Sequence, residues 1–380
     1  MQAAVKTSVF ERLGVKPVLN VRGFNTVVGG NTPTARMKEA IEEVERYYVD
    51  MRELLDRSGE AIAKLMGAEA AYVTPGAAAA LALGTAACIT GTDVEKMGRL
   101  PDTTGLKSEV VIQRPQIYQY DRAVTTIGAR LVEIGSAERT TPEELGAALG
   151  PQTACVLFAA HLDDLPGIVR LDEVIRIAHG KGVPVLVDAA AQVYPLERFL
   201  SFPKTGADLI AYSCKYFGGP NSTGILVGRR ELIEAASLQG FIGFEHVTNR
   251  KGLGRGYKLD RQEIVCAVIA VEDWLSMDHE RRLADVERRI GVISRAIEKL
   301  PGVSLELLRR GGAGPRALQI TVDPAAAKRS AEDVVRELRE GNPSIWVNSR
   351  PGVILVNPEP LRAEGDVEIV ARRLRELLGS

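Results

Sequence analysis

Residues 183–192, VPVLVDAAAQ, and residues 207–228, ADLIAYSCKYFGGPNSTGILVG, decide the fold. Each carries a short unbroken apolar run, VPVLV in one and LIAY in the other. Runs of that length, rich in Val, Leu and Ile, are strands covered on both faces, as in a parallel sheet sandwiched between helices. Each run then stops at residues with chemistry. The first ends at Asp188. The second ends at Tyr212-Ser213, with Lys215 close behind and a Gly218-Gly219-Pro220 turn leading into one more strand at Thr223–Val227.

The same rhythm extends upstream. Strands at Ala70–Val73, Val110–Gln113, Arg130–Ile134 and Ala154–Phe158 alternate with helices at Ser58–Met66, Ala77–Cys88, Asp121–Ile127, Pro142–Leu149 and Leu171–Lys181. Repeated strand–helix units predict a large α/β domain built on a mostly parallel sheet. Gly91–Glu109 interrupts the rhythm and reads as a surface loop. Downstream, Asp260–Leu300 reads as one long helix or a helix pair, ended by Pro301-Gly302. Beyond it VSLELL, a GGAGP loop, ALQITV, AEDVVRELRE, SIWVN, VILVN and DVEIVARRLRELL predict a smaller α/β unit with its own core. The expected division is an arm over 1–50, a large domain over 51–260, and a linking helix with a small C-terminal domain over 261–380.

Composition narrows the function classes. Lys+Arg 48 against Asp+Glu 49 gives a net charge of −1, which removes any general pull toward nucleic acid or acidic membranes. Aromatic residues are only 5% of the chain, too few for base-stacking platforms. Cys88, Cys155, Cys214 and Cys266 are scattered, with no C-x-x-C pair. That spacing points away from a disulfide framework and from a metal site, and fits a reducing cytoplasm. No apolar run reaches the ~20 residues of a membrane-spanning helix, and the N-terminus lacks the apolar core of a secretory signal. The composition is that of a soluble enzyme.

Three features of the large domain carry the chemistry. In YVTPGAAAALALG (72–84) a strand runs into a turn of small residues that opens a helix. Such a turn lets an anion approach backbone N–H groups at the positive end of the helix dipole, although a tightly packed strand–helix turn looks the same. Asp188, at the carboxyl end of a buried strand, sits where α/β proteins place ligands, and reads equally as a helix N-cap. Lys215, flanked by Tyr212, Cys214, Tyr216 and Phe217, is poorly placed for full solvation, and desolvation lowers a lysine pKa. The order is a phosphate turn, an Asp after a strand, and a Lys 27 residues later. Pyridoxal phosphate needs all three: donors for its phosphate, a carboxylate for its pyridine nitrogen and a lysine for its aldehyde.

Further stretches carry a resemblance. ERLGVKPVLNVRG, GAEAAYVTPGAAAAL, GARLVEIGSAERTTPEEL, VPVLVDAAAQ, KYFGGPNSTGILVGRRELI and GRGYKLDRQEI span roughly residues 10–275. They are similar to fold-type I pyridoxal phosphate enzymes, the aspartate-aminotransferase superfamily. More narrowly they resemble the branch containing bacterial selenocysteine synthase and D-glucosaminate-6-phosphate ammonia-lyase. The resemblance implies that Lys215 is the Schiff-base lysine, that Asp188 pairs with the pyridine nitrogen, and that Gly76 and Ala77 hold the phosphate, with Ser213 in the cofactor shell. Relatives carry a Gly-His-Arg run after QR whose His covers the cofactor ring. Here Gln116 stands in its place, which suggests a diverged reaction. His161, after the strand CVLFAA, matches a histidine of the synthase branch and is a candidate catalytic group. Arg22, Arg255, Lys258 and Arg350 are candidates for an anionic substrate group, the Arg255 loop being expected to reach a partner subunit's site in a homodimer or higher homo-oligomer. The implied reaction is α,β-elimination on an amino acid or amino sugar acid. Racemisation or aldol cleavage, tRNA-dependent selenium or sulfur transfer, and a silent binding protein stand as alternatives.

Overall fold

The computed structural model describes residues 8–246, 252–309, 315–363 and 365–379. The GGAGP loop, apart from Pro315, lies outside the described residues. The chain forms two compact units, residues 31–276 and residues 1–30 with 277–380. Along it, β1 (Val18–Asn20) belongs to the smaller unit. The larger unit holds β2 (Ala70–Thr74), β3 (Glu109–Gln113), β4 (Arg130–Ile134), β5 (Thr153–Ala159), β6 (Val185–Asp188), β7 (Leu209–Ser213) and β8 (Gly224–Gly228). The smaller unit continues with β9 (Val303–Arg309), β10 (Pro315–Val322), β11 (Ser344–Trp346), β12 (Asn348–Arg350) and β13 (Val353–Val356).

In the larger unit, β2 to β8 form one seven-stranded sheet in the order β2-β8-β7-β6-β5-β3-β4. Neighbours from β7 to β4 run parallel, and β8 is antiparallel to both β7 and β2. Every residue of β5, β6 and β7 is buried, as their unbroken apolar runs require. The Gly76–Thr90 helix is apolar all round and buried along almost its whole length. Gly84 lets it settle on the sheet: a Cβ there would stand 3.2 Å from Leu209 and 3.4 Å from Leu186.

The seams fall at other places than the sequence suggested. Asp260–Leu300 is two helices, Arg261–Ser276 and His279–Ile297, and each packs into a different unit. The first lies on the Ala35–Val44 and Met51–Met66 helices and adds Ile264, Ala267, Val271 and Trp274 to the larger core. The second starts afresh because Asp278 caps it, accepting from the Arg281 N–H. The seam is therefore at 276 and not at 260. The expected arm over 1–50 also divides. β1 pairs in parallel with β11 and Val21 enters the smaller core, whereas the Ala35–Val44 helix belongs to the larger unit.

The smaller unit is a four-stranded antiparallel sheet, β12-β13-β10-β9, with the His279–Ile297 and Asp366–Leu378 helices packed on each other. Their apolar stripes bury Ile290, Ile293, Val370 and Leu374 with Leu318 and Ile320 of β10. Among the described residues no helix is long and apolar enough to cross a membrane.

Gly91–Glu109 is mostly exposed, as expected of a surface segment, but it is not loop throughout. Asp93 accepts from the N–H groups of Glu95 and Lys96 and starts a short helix, Val94–Arg99. That helix drives Met97 into the core, where it is fully buried, followed by Leu100 and Leu106. Met97→Ala is accordingly expected to cost about 2–5 kcal/mol in urea unfolding, the penalty for emptying a core site. A methionine on a surface loop would change stability by only about 0.5 kcal/mol or less.

Candidate active site

Backbone register assembles the cleft. Asp188, the last residue of β6, is the register partner of Ala159 at the end of β5 and of Ala211 in β7. Ser213, which ends β7, faces Gly224 of β8, and Gly224 in turn faces Thr74, which ends β2. The carboxyl ends of β5, β6, β7 and β2 thus lie side by side with Gly224. The segments that leave them carry His161, Lys215 and the Thr74–Ala77 turn to one edge of the sheet, where open α/β folds place ligands.

Asp188 is only 4% exposed. Its Oδ1 accepts from the Ala190 N–H at 3.0 Å, and its Oδ2 accepts from the Tyr118 hydroxyl. Burial pushes the carboxyl above its ordinary range, while the Tyr118 hydroxyl, the Ala190 N–H and the charge of His161 oppose that shift. No α-helix starts at Asp188; the next one, Leu196–Ser201, has Pro195 at its N-cap. The carboxylate is therefore not a helix cap, but a buried anion braced from two sides. Arg198 fastens its surroundings. It donates to Gln192 Oε1 at 2.9 Å, to the Ala160 carbonyl at 3.2 Å and to Asp163 Oδ2 at 2.6 Å, tying the segment after β5 to the segment after β6.

Lys215 sits in a tight turn, Cys214–Phe217, directly after β7. Its Nζ lies 5.0 Å from the centre of the Tyr216 ring, and its half-buried position lowers its pKa through desolvation. Gly218 closes the turn at φ +88°, and a Cβ on Gly219 would meet Cys214 Cβ at 2.6 Å. The Gly-Gly pair is thus what lets the chain double back beneath the lysine.

The anion end of the cleft is the start of the Gly76–Thr90 helix. Pro75 occupies its N-cap and supplies no side-chain cap, so the first N–H groups stay available at a partly exposed turn. Gly76 holds φ +81°, and a Cβ at Gly224 would lie 2.5 Å from Gly76 C and 2.7 Å from Ala77 N. Small residues alone fit this approach. A buried acceptor carboxylate, a desolvated lysine and an open set of backbone donors along one sheet edge match the nitrogen, aldehyde and phosphate of pyridoxal phosphate.

The other residues singled out from the sequence fall in three groups. His161 joins the cleft: its ring stands edge-on to Tyr118, with centroids 5.0 Å apart. Gln116 does not present its side chain as a ring cover. It is fully buried, donates to the Ala159 carbonyl at 3.2 Å and is met by Gln113 Nε2 at 3.4 Å, while Gln113 grips the backbone of Val169. The aromatic group at this place is Tyr118, which sequence reasoning missed because its partner Asp188 lies far along the chain. Arg255 and Lys258 are exposed, with Arg255 paired to Glu245 at 3.1 Å. Their loop is not slack, since Gly254 is buried with its backbone against Gln239 and Gly240. Arg22 and Arg350 belong to the smaller unit. Arg22 is half-buried and donates to Asn348 Oδ1 at 2.9 Å, and Arg350 donates to Gln319 at 2.6 Å.

This sheet and this trio at its carboxyl edge define the class: a fold-type I pyridoxal phosphate enzyme. Comparison with known proteins agrees and narrows it. The aminotransferase class-V family model matches residues 116–258. The chain is 32% identical to 5'-C-glycyluridine monooxygenase-decarboxylase of a Streptomyces species, over 98% of this chain and 92% of that protein. It is 27% identical to D-glucosaminate-6-phosphate ammonia lyase of Salmonella typhimurium, over 97% of this chain and 98% of that protein. A solved structure of D-glucosaminate-6-phosphate ammonia-lyase superimposes with a TM-score of 0.85 at 26% identity, covering 98% of both chains. The chain belongs to this aminotransferase class-V-like family, and its cofactor is pyridoxal phosphate.

Two outcomes check the geometry. Gly224→Ala forces a methyl group into the first turn of the Gly76–Thr90 helix and is expected to weaken cofactor binding tenfold or more (about 1.4 kcal/mol or above), read by fluorescence titration. Because its pKa is lowered, the Lys215 amine is neutral at a lower pH than the solvated lysines. In cofactor-free protein an amine-reactive label followed by mass spectrometry is expected to mark Lys215 at the lowest pH of any lysine.

Proposed function

We propose that this enzyme removes the Cα proton of an amino acid or amino sugar acid and expels a β-substituent, an α,β-elimination that releases ammonia and a keto acid. The observation that carries the reading is the half-buried Lys215 in the turn after β7, the strand that pairs with the β6 strand of Asp188, in a chain similar over nearly its whole length to an ammonia lyase. When bound, the cofactor supplies a covalent anchor for the substrate amine and an electron sink for charge developing at Cα.

The chain's own residues do the rest. Lys215 Nζ, its pKa lowered by desolvation, is the base for the Cα proton. Asp188 sets a negative charge at the end of β6, where it favours a protonated ring nitrogen. The N–H groups of Gly76 and Ala77 take the phosphate, with Ser213 beside them in the same register. His161, within electrostatic reach of Asp188, is a second group able to hold a proton in the cleft.

Arg22, Arg255, Lys258 and Arg350 are assigned to an anionic group of the substrate, Arg255 and Lys258 from a partner subunit. Support for a homo-oligomer comes from apolar side chains left exposed on the single chain: Phe10, Leu13, Val27 and Tyr48 are each more than half exposed. The net charge of −1 favours a small-molecule substrate over a tRNA.

A second reading has an observation of its own, the 32% identity to a protein named as a monooxygenase-decarboxylase. In that case the charge developing at Cα would pass to molecular oxygen instead of expelling a β-substituent. Amino acids and amino sugar acids, with and without a phosphate group, should be screened with and without oxygen. Elimination is expected to give ammonia and a keto acid at equal rates in both; oxygen uptake with CO2 release would replace it by the second reading. With the substrate found, Lys215→Ala is expected to slow exchange of the Cα hydrogen with solvent by roughly 10²–10⁴, the contribution of a positioned general base. Retained exchange would remove Lys215 from that role.

A further inference from the structure

Asp188 is the group whose charge the chemistry depends on, and its two oxygens are treated differently. Oδ1 is held by the Ala190 N–H within its own turn. Oδ2 is held from another part of the sheet by the Tyr118 hydroxyl, which arrives from the segment after β3. The Tyr118 ring is itself fixed, edge-on to His161 at 5.0 Å and to Tyr120 at 6.1 Å. Beneath it, the buried Gln116 and Gln113 bind the backbone of β5 and Val169, and so anchor the segment that carries the tyrosine. Three strand ends therefore converge on one carboxylate, and the Tyr118 hydroxyl is a side-chain donor aimed at it.

We propose that Tyr118 is a positioning residue for the cofactor: its hydroxyl holds the Asp188 carboxylate in the orientation and charge state that accepts the ring nitrogen. The inference rests on the cofactor reading of the site and adds a residue to it. A carboxylate that is 4% exposed tends toward its neutral form, which cannot stabilise a protonated nitrogen. A hydroxyl donor favours the ionised form, and an oxygen with two lone pairs can accept from Tyr118 and from a ring N–H together. Tyr118 is buried enough that its own proton stays on: burial first, then the neighbouring Asp188 charge, raise its pKa. It is a donor throughout the working pH range and never a competing anion. The other titratable group acting on Asp188 is His161, whose charge works in the same direction.

The test compares pyridoxal phosphate with 1-deazapyridoxal phosphate, in which a C–H replaces the ring nitrogen, in equilibrium binding to the full chain. The wild type is expected to prefer the natural cofactor. Tyr118→Phe keeps the ring and its edge contact with His161 but removes the hydroxyl. It is expected to reduce that preference roughly tenfold, the effect of one hydrogen bond to a charged group, and to leave affinity for the deaza analogue within about twofold. In an Asp188→Asn background the preference is expected to be lost already, so that adding Tyr118→Phe changes nothing more. If Tyr118→Phe keeps the wild-type preference, even with both affinities reduced, the tyrosine only fills space and the proposal is overturned. If the wild type shows no preference while binding pyridoxal phosphate, Asp188 does not meet the ring nitrogen, and the placement of the cofactor falls before that of Tyr118.

Discussion

A Cβ at residue 224 would stand 2.5 Å from the carbonyl carbon of Gly76, so β8 and the first turn of the Gly76–Thr90 helix meet backbone to backbone. That approach sets the dimensions of the cleft. Through Gly224 the turn of Thr74–Ala77 is locked in register with Ser213 of β7, and through β7 with Asp188 of β6. Lys215 stands two residues beyond Ser213, in the turn that leaves β7, so its place is set by the same ladder, and Gly218 and Gly219 close that turn tightly behind it. Parallel strands are staggered by hydrogen bonds that cannot slip by one residue without turning the core outward. The spacing of anion turn, lysine and carboxylate is therefore a property of the sheet and not of mobile loops, which is what preorganised chemistry requires.

Much of this was legible in the sequence because burial on both faces leaves a plain signature. VPVLVD and DLIAYS are unbroken apolar runs, and both are buried strands whose last residues carry the chemistry. The helix within Gly91–Glu109 was not legible. A helix of a single turn and a half gives no periodicity to detect, and the Asp93 cap followed by an isolated Met97 was the one available signal. The seam at 276 falls inside a stretch that reads as one long helix or a helix pair, because only Met277 and the capping Asp278 separate the two helices. Tyr118 was out of reach altogether. Its role depends on a hydrogen bond to a residue 70 positions away, and the motif directed attention to Gln116, which the fold buries as a brace.

The proposed reaction separates a general step from the choice of substrate. In the proposed reaction, forming charge at Cα draws on the lysine, the carboxylate and the anion turn, all in the larger unit. A D-glucosaminate-6-phosphate ammonia lyase and a 5'-C-glycyluridine monooxygenase-decarboxylase are both similar to this chain along nearly its full length. Arg22 and Arg350 belong to the smaller unit, and Arg255 and Lys258 to an exposed loop of the larger one. Residues that choose a substrate are expected at such positions, since they can change without disturbing the ladder that holds the cofactor.

The most direct measurement is to bind pyridoxal phosphate to the full chain, reduce the complex with borohydride and map the pyridoxyl adduct by peptide mass spectrometry. The adduct is expected on Lys215 alone, at about one per chain. An adduct on Lys258 or any other lysine, or none at all with cofactor demonstrably bound, would contradict the assignment of this cleft as the active site.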